Sequence, residues 1–560
     1  MNFFRLPLCQ HRLSFDGVYS SRESIQSYLH SFNVKEPDMK LTVPVFVFVI
    51  SCAALFPSLI STSFSQQLFH FESQQKARET QQSNFGNTPR VDDVPLQARQ
   101  LYRDKPYKKP YSTSSVNFVV VDSMTNIFSM GSSQINPLYY DPTIDRLTFV
   151  HRGDATSYAA SSGAIYYNYS SDGGSSWTRN SGALNGADSP ISGRYPSGVI
   201  FSPTSNVADA RFFSSYSNLY FNGSANVFGD FGVGWDSPAF SNNANSYRHA
   251  HDVSNNFSYE FETQCWSSDL NMYYTDVRRQ GLTGNGPFIG LNIFKSANFA
   301  SMPIAATPLG LSTPTCFNIY KILGGDFMKT SATNRSAVAA IASYLGSPPM
   351  LEVIYTVDEG NTWDGGWAGG GVDIVSPASI PELCPYKYFW MRYSNNYFSC
   401  SGDMVLDSLG YPHCLVGLQA EPQNSAGVDV VIAEIYRDAS GWHGKIISHG
   451  DPQTHFVAGT LDGNGYAPYI SRDASGRSFA VQYTSSDNVN ENADLFLSTR
   501  YWSSWADWSS PVNITQTPSF NENVAHFSPR MRDDGSTMFT VWSAFAQPKD
   551  STIVADAAVN

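Results

Sequence analysis

Ser170-Ser171-Asp172-Gly173-Gly174-Ser175-Ser176-Trp177 and Thr356-Val357-Asp358-Glu359-Gly360-Asn361-Thr362-Trp363 share one pattern, [ST]-x-D-x-G-x-[ST]-W. Each follows an apolar run, AIYYNY or LEVIYT, at the point where a strand should turn back on itself. The chemistry of such a turn is local. Asp172 and Asp358 accept hydrogen bonds from turn amides. Gly174 and Gly360 supply the positive φ that the turn requires. Trp177 and Trp363 are placed to pack across the base of the hairpin. A looser relative, Ser471-Arg472-Asp473-Ala474-Ser475-Gly476, keeps the Asp and displaces the Gly; Leu461-Asp462-Gly463-Asn464-Gly465 is looser still.

Outward from these turns the same rhythm continues. NFVVVDS from about Val116, then LTFVHRG, SGVIFSP, HCLVGLQ, VDVVIAEIYR, FAVQYTS, DLFLSTR and MFTVWSA are short apolar runs separated by Gly, Asn, Asp and Ser. Met404 to Gly417 reads as strand, turn, strand. Only Ala337–Tyr344 suggests a helix, and it suits a strand equally. The composition agrees: 14% aromatic residues, with 31 Tyr, 37 Phe and 41 Gly, suit strands joined by tight turns. The fold class is therefore all-β. About two dozen strands in residues 116–548 must protect their edges, which circular closure of four-stranded blades achieves.

The paired motif resembles the Asp box (BNR repeat) of sialidase-like β-propellers, of the exported bacterial type. The likeness is close over sixteen residues and loose over the strand rhythm. It implies a six- or seven-bladed propeller in which Ser170, Asp172, Gly174, Trp177, Thr356, Asp358, Gly360 and Trp363 are structural. A sialidase of this family would hold a sugar carboxylate with three arginines, attack through a Tyr assisted by Glu, and use an Asp as acid/base. Arg194-Tyr195-Pro196 is similar to the family's first arginine segment, yet it follows the first Asp box where the family's precedes it. Arg392, Arg472 and Arg530 are the other candidates for an arginine cluster, each also readable as a strand-end residue paired with a nearby Asp. Tyr and Glu are too numerous to single out a nucleophile.

Net charge is −13, from 35 basic and 48 acidic residues, so no broad positive field draws nucleic acid or an anionic membrane. Leu41 to about Gln66 is the one long apolar stretch, preceded by Lys40 and ending in small residues near Ser65, the layout of an export signal. Leu41–Ile60 retained as a membrane anchor, or Cys52 lipidated, are the alternatives. Residues 1–38 read as a polar extension, 39–65 as the signal, 66–115 as a linker and 549–560 as a tail. Cleavage leaves Cys265, Cys316, Cys384, Cys400 and Cys414. Cys384 with Cys400 is the nearest pair in sequence, and buried thiols are the alternative.

Arg248-His249-Ala250-His251-Asp252 places two histidines at strand spacing, where an exposed polar strand competes with a metal site. Asp533-Asp534-Gly535 has turn chemistry without the spacing of a calcium loop. Tyr501-Trp502-Ser503-Ser504-Trp505-Ala506-Asp507-Trp508 is read chiefly as packing between blades, with sugar stacking as the alternative. No cofactor or metal is implied. The function expected is a binding or scaffold module for glycan or protein at the cell surface or outside it, with a sialidase-type glycoside hydrolase as the rival.

Overall fold

The computed structural model describes residues between 119 and 545, apart from connecting segments of which 123–134, 297–314 and 451–467 are the longest. Residues 315–317, 321–330 and 335–344 are described as backbone only. Nearly every ordered element is a strand. Among the described residues three single turns of 3-10 helix complete the set, and no helix is long and apolar enough to cross a membrane.

The strands form successive antiparallel sheets. The first holds β1 (Leu138–Asp141), β2 (Arg146–Arg152), β3 (Ile165–Ser170) and β4 (Thr178–Arg179). The second holds β5 (Gly193–Phe201), β6 (Arg211–Phe221), β7 (Asn226–Asp236) and β8 (Ala244–His249). In the third, β10 (Cys265–Ser267), β11 (Met272–Gln280), β12 (Phe288–Lys295) and β13 (Thr315–Phe317) run in order, with β9 (Phe257–Glu260) extending the inner edge. The fourth is β14 (Lys321–Thr330), β15 (Arg335–Tyr344), β16 (Met350–Thr356) and β17 (Gly371–Val375), so the helix-or-strand stretch Ala337–Tyr344 is strand.

The fifth sheet shares its inner position between β18 (Tyr388–Phe389) and β21 (Gly402–Leu406), followed by β22 (Pro412–Gln419), β23 (Val430–Asp438) and β24 (Gly441–Gly450). A short pair, β19 (Arg392–Ser394) with β20 (Tyr397–Ser399), lies between them in sequence. The sixth is β25 (Tyr469–Arg472), β26 (Ser478–Ser485), β27 (Asp494–Tyr501) and β28 (Val512–Asn513), and the last pair is β29 (Asn521–Phe527) with β30 (Thr540–Phe545). The protein is a β-propeller. Five blades have four strands in unbroken chain order, which differs from the six or seven expected. The difference arises because one sheet divides its inner strand and the last shows two strands among the described residues.

Neighbouring inner strands run the same way wherever hydrogen bonds between them are described. Gly198 N donates to Asn136 O and Ser202 Oγ to Asp141 Oδ2, so β5 lies parallel to β1. Cys265 reaches Ser197 O and Ser267 reaches Ile200 O, which sets β10 parallel to β5. Arg472 and Arg530 form a parallel bridge that brings the chain beyond β29 against β25. The ring then closes where Tyr140 N donates to Ser528 Oγ and where Leu138, Tyr140, Leu147 and Phe149 pack with Phe539 and Val541. Trp177 packs on that closing cluster. Val119–Asp122, expected as strand, is not; Asp122 instead receives Arg179 Nη2 at 2.6 Å and Asn168 Nδ2 at 2.8 Å.

Both eight-residue motifs form the same turn between third and fourth strands. Ser170 Oγ accepts from Gly174 N at 2.8 Å, and Asp172 accepts from Ser176 N at 2.9 Å and Ser176 Oγ at 2.6 Å. Thr356 Oγ1 accepts from Gly360 N at 3.1 Å, and Asp358 accepts from Asn361 N at 3.0 Å. Gly174 and Gly360 are left-handed, with φ of 87° and 72°. Trp363 lies outside the described residues. Asp473 anchors a turn too, accepting from Ser475 Oγ and Arg477 N, but between the first and second strands of its sheet. Residues 461–465 lie outside the described part. A further Asp-centred turn is built on Asp236, which takes Ser241 N, Ser241 Oγ and Asn243 N without the motif's glycine or tryptophan.

Candidate functional site

Because inner strands are parallel, each has an opening end on one face of the ring and a closing end on the other. Arg194 stands at the opening end of β5. It pairs in register with Ser217, and the next pair is Ser197 with Ser215, so the strand bulges at Tyr195-Pro196. Tyr195 takes a left-handed φ of 50° in that bulge. The Arg194 side chain keeps partial exposure, yet its surroundings draw it down to about 10 by burial. Its Nη1 donates to Gly193 O at 2.9 Å, and among the described residues no carboxylate forms an ion pair with it.

Arg152, at the matching end of β2, is buried and depressed well below the usual arginine range, first by burial and then by the charge of Arg194. No sequence signal singled out Arg152. Its place at the end of a second strand, level with the start of the next inner strand, is the only clue.

The same face carries a polar row along the second sheet. Asp230 on β7 accepts Arg248 Nε at 2.7 Å and the His251 amide at 2.8 Å, with His251 Nδ1 2.7 Å from the same oxygen as that amide. Tyr220 stacks on the His251 ring at 3.9 Å. His249 turns elsewhere, its Nε2 3.0 Å from Tyr259 OH, and burial lowers its pKa against the opposing pull of Asp230 and Asp252. Asp252 is held by the Asn255 amide and side chain. The two histidines are half-buried in separate contacts, so the exposed polar strand expected there is not what forms. Among the described residues no three His, Cys, Asp or Glu side chains gather as a metal site.

Arg472 and Arg530 do not join Arg194. Arg472 ends β25, is fully buried and donates to Asp473 O, and the inner-strand contacts set it level with Ser202, at the end of the ring away from Arg194. Eight residues at about 3.3 Å each put roughly 25 Å between the two ends. Arg392 begins β19, and its side chain is not described. A Tyr–Glu pair does exist, Tyr273 OH donating to Glu359 Oε2 at 3.1 Å, with Ser268 Oγ at 2.6 Å and Asn271 Nδ2 at 3.1 Å on the same oxygen. It sits at the closing end, where the turn after β16 meets the turn before β11, and it joins two sheets. The set required by a sialidase is therefore divided between faces.

The remaining candidates are structural. Cys265 and Cys414 are buried thiols, and burial raises both, Cys265 to about 12. The Cys384–Cys400 pairing rests on Cys400, outside the described residues, as are Trp502 and Trp505. Trp508 packs between the fifth and sixth sheets.

No protein-family model matches the chain, and no curated protein matches it. Solved structures that resemble it include a PL25 polysaccharide lyase described as an ulvan lyase, at 12% identity, TM-score 0.38, covering 77% of this chain and 95% of that one. A point mutant of the NanB sialidase from Streptococcus pneumoniae matches at 12% identity and TM-score 0.32, over 74% of this chain and 66% of that one. An α-L-arabinanase from Penicillium chrysogenum matches at 11% identity and TM-score 0.36, over 68% and 99%. Likeness at this level carries nothing about activity. The propeller is established by the sheets themselves.

Proposed function

We propose that the protein is an exported, sialidase-like Asp-box propeller that binds an acidic glycan at the opening end of its second blade, as a surface or extracellular recognition module. The observation that supports this most is Arg194 itself, a partly exposed guanidinium at the opening end of β5 whose charge burial disfavours and an anion would restore. The stacked Tyr220 and His251 rings, further along the same sheet, are aromatic and polar groups that suit a sugar ring. We also take the fifth sheet and the β29–β30 pair as the sixth and seventh blades, with residues 39–65 as the export signal.

The test is a titration with D-glucuronate, N-acetylneuraminate and neutral galactose. Both acids should bind and galactose should not. Arg194→Ala should weaken the acids by about 10- to 100-fold, the worth of a charge-assisted pair. Arg472→Ala, at the far end, should leave affinity unchanged in the folded protein. Equal binding of galactose, or loss in the Arg472 variant alone, would overturn the assignment. A glycoside hydrolase remains the second reading, supported by the His249–Tyr259 pair, whose histidine lies in Arg194's row across the second sheet. A fluorogenic sialoside should show no turnover above a heat-treated control. Turnover that vanishes in Arg194→Ala with unchanged melting would put the hydrolase first.

A further inference from the structure

The seam between the second and third sheets is apolar over much of its area. The Phe231 ring lies 5.2 Å from that of Phe294, and Tyr259 packs edge-on against Phe231 at 5.6 Å. Toward the opening end its character changes. Arg194, Ser217, Phe231 and His249 are consecutive partners across β5 to β8 and so share one face. On the opposing sheet Tyr274 pairs with Phe294, and Asp276 with Asn292, two residues further toward the same end. The two faces are in register there, because the Ser215 amide and hydroxyl lie against the Cys265 sulfur, and Cys265 pairs with Tyr274.

Four polar atoms in this seam are buried with no protein partner: Ser217 Oγ, Asp276 Oδ2, Tyr274 OH and His249 Nδ1. Their residues have their other capacity engaged or sealed. Asp276 Oδ1 takes Asn292 Nδ2 at 2.8 Å, His249 Nε2 meets Tyr259 OH, and Ser217, Asp276 and Tyr274 are fully buried. A single orphan is ordinary, but leaving a buried polar atom unpaired is costly, so four on facing rungs call for a partner from outside the chain. The set offers hydroxyl donors, an imidazole nitrogen and a carboxyl oxygen; burial outweighs the Asn292 hydrogen bond and the charge of Arg278, two residues further along β11, and holds the Asp276 carboxyl up to about 8, hence protonated at neutral pH.

We propose that this seam is a binding pocket for a small neutral hydroxyl group, bridged by Ser217, Asp276, Tyr274 and His249, with Asp276 acting as a proton-bearing donor. The hydroxyl belongs either to resident water or to a sugar entering past Arg194. A neutral guest fits because Asp276 itself is neutral, and an anion would face its acid oxygen while a cation would find no carboxylate.

The test is a high-resolution crystal structure of the full chain grown at neutral pH without polyols, repeated after soaking in D-glucuronate. The unsoaked crystal should show an oxygen within hydrogen-bonding reach of at least two of the four atoms. If a glucuronate hydroxyl replaces it, the pocket is part of the glycan site; if the oxygen persists unchanged, water is the resident. A dry seam, with Ser217 Oγ bonded directly to Asp276 Oδ2, overturns the proposal whatever happens at Arg194. In solution, Asp276→Asn should gain melting temperature over the wild type progressively from pH 5 to pH 8. Parallel curves across that range would show an ionised carboxylate and refute the neutral pocket.

Discussion

Glu434 on β23 joins the fifth sheet to the sixth. Its carboxylate accepts Arg500 Nη1 at 2.6 Å and Arg500 Nη2, takes Trp508 Nε1 at 3.0 Å, and lies 2.7 Å from His413 Nδ1. Burial alone would raise this carboxyl, but the charge of Arg500, the His413 contact and the Trp508 bond outweigh it and hold it at about 2, against an ordinary 4.5. That difference corresponds to about 3 kcal/mol of stability at neutral pH. Glu434→Gln removes the charge and strands the buried Arg500 guanidinium, so the loss should reach about 3–5 kcal/mol. Chemical unfolding at pH 7 measures it. Because the folded pKa is depressed, the contribution is present above about pH 4.5 and is lost as pH falls toward about 2, so wild-type stability should drop in that window and the variant's should drop less. Removing both charges, Glu434→Leu with Arg500→Met, should cost far less than the single change. A Glu434→Gln loss below about 1 kcal/mol, or equal acid sensitivity in both proteins, would show that the network is not what joins the two sheets.

Asp172→Ala and Asp358→Ala should each lower the melting temperature, since each removes the acceptor of two or more turn hydrogen bonds, while acidic-glycan affinity stays at the wild-type value. Loss of affinity with unchanged melting would place these residues in a binding site. N-terminal sequencing of the exported protein should find a start between about Ser61 and His70. An intact chain held through Leu41–Ile60, or a lipid on Cys52, would contradict that processing.

The strands were legible because their signal is local. IYYNYS, HCLVGLQ and FAVQYTS each fold where they lie, and the two Asp-centred turns are specified within eight residues. Blade number was less legible, since Tyr388–Phe389 and Gly402–Leu406 share one partner, β22, across an excursion that no periodicity announces. The Asp236 turn escaped because it dispenses with the glycine. Its carboxylate is committed across the seam as well, to Tyr167 OH at 2.6 Å and Asn180 Nδ2 at 2.8 Å.

The buried polar chemistry lies beyond local pattern for one reason: its partners belong to neighbouring blades. Glu434 and Arg500 are separated by 66 residues, and Tyr167 and Asp236 by 69, about the repeat of one blade. An arginine's role therefore depends on which end of an inner strand it occupies. Arg194 opens β5 and Arg472 closes β25, so two residues that look alike in sequence reach opposite faces of the ring. Strand polarity separates them. It also explains why the Tyr273–Glu359 pair, whose residue types suit glycoside chemistry, serves as a joint between sheets. The turns on Asp172, Asp236 and Asp358 follow third strands and end on the closing face, and a carboxylate carried on such a turn, as Glu359 is, is delivered to the neighbouring blade's closing end, away from Arg194.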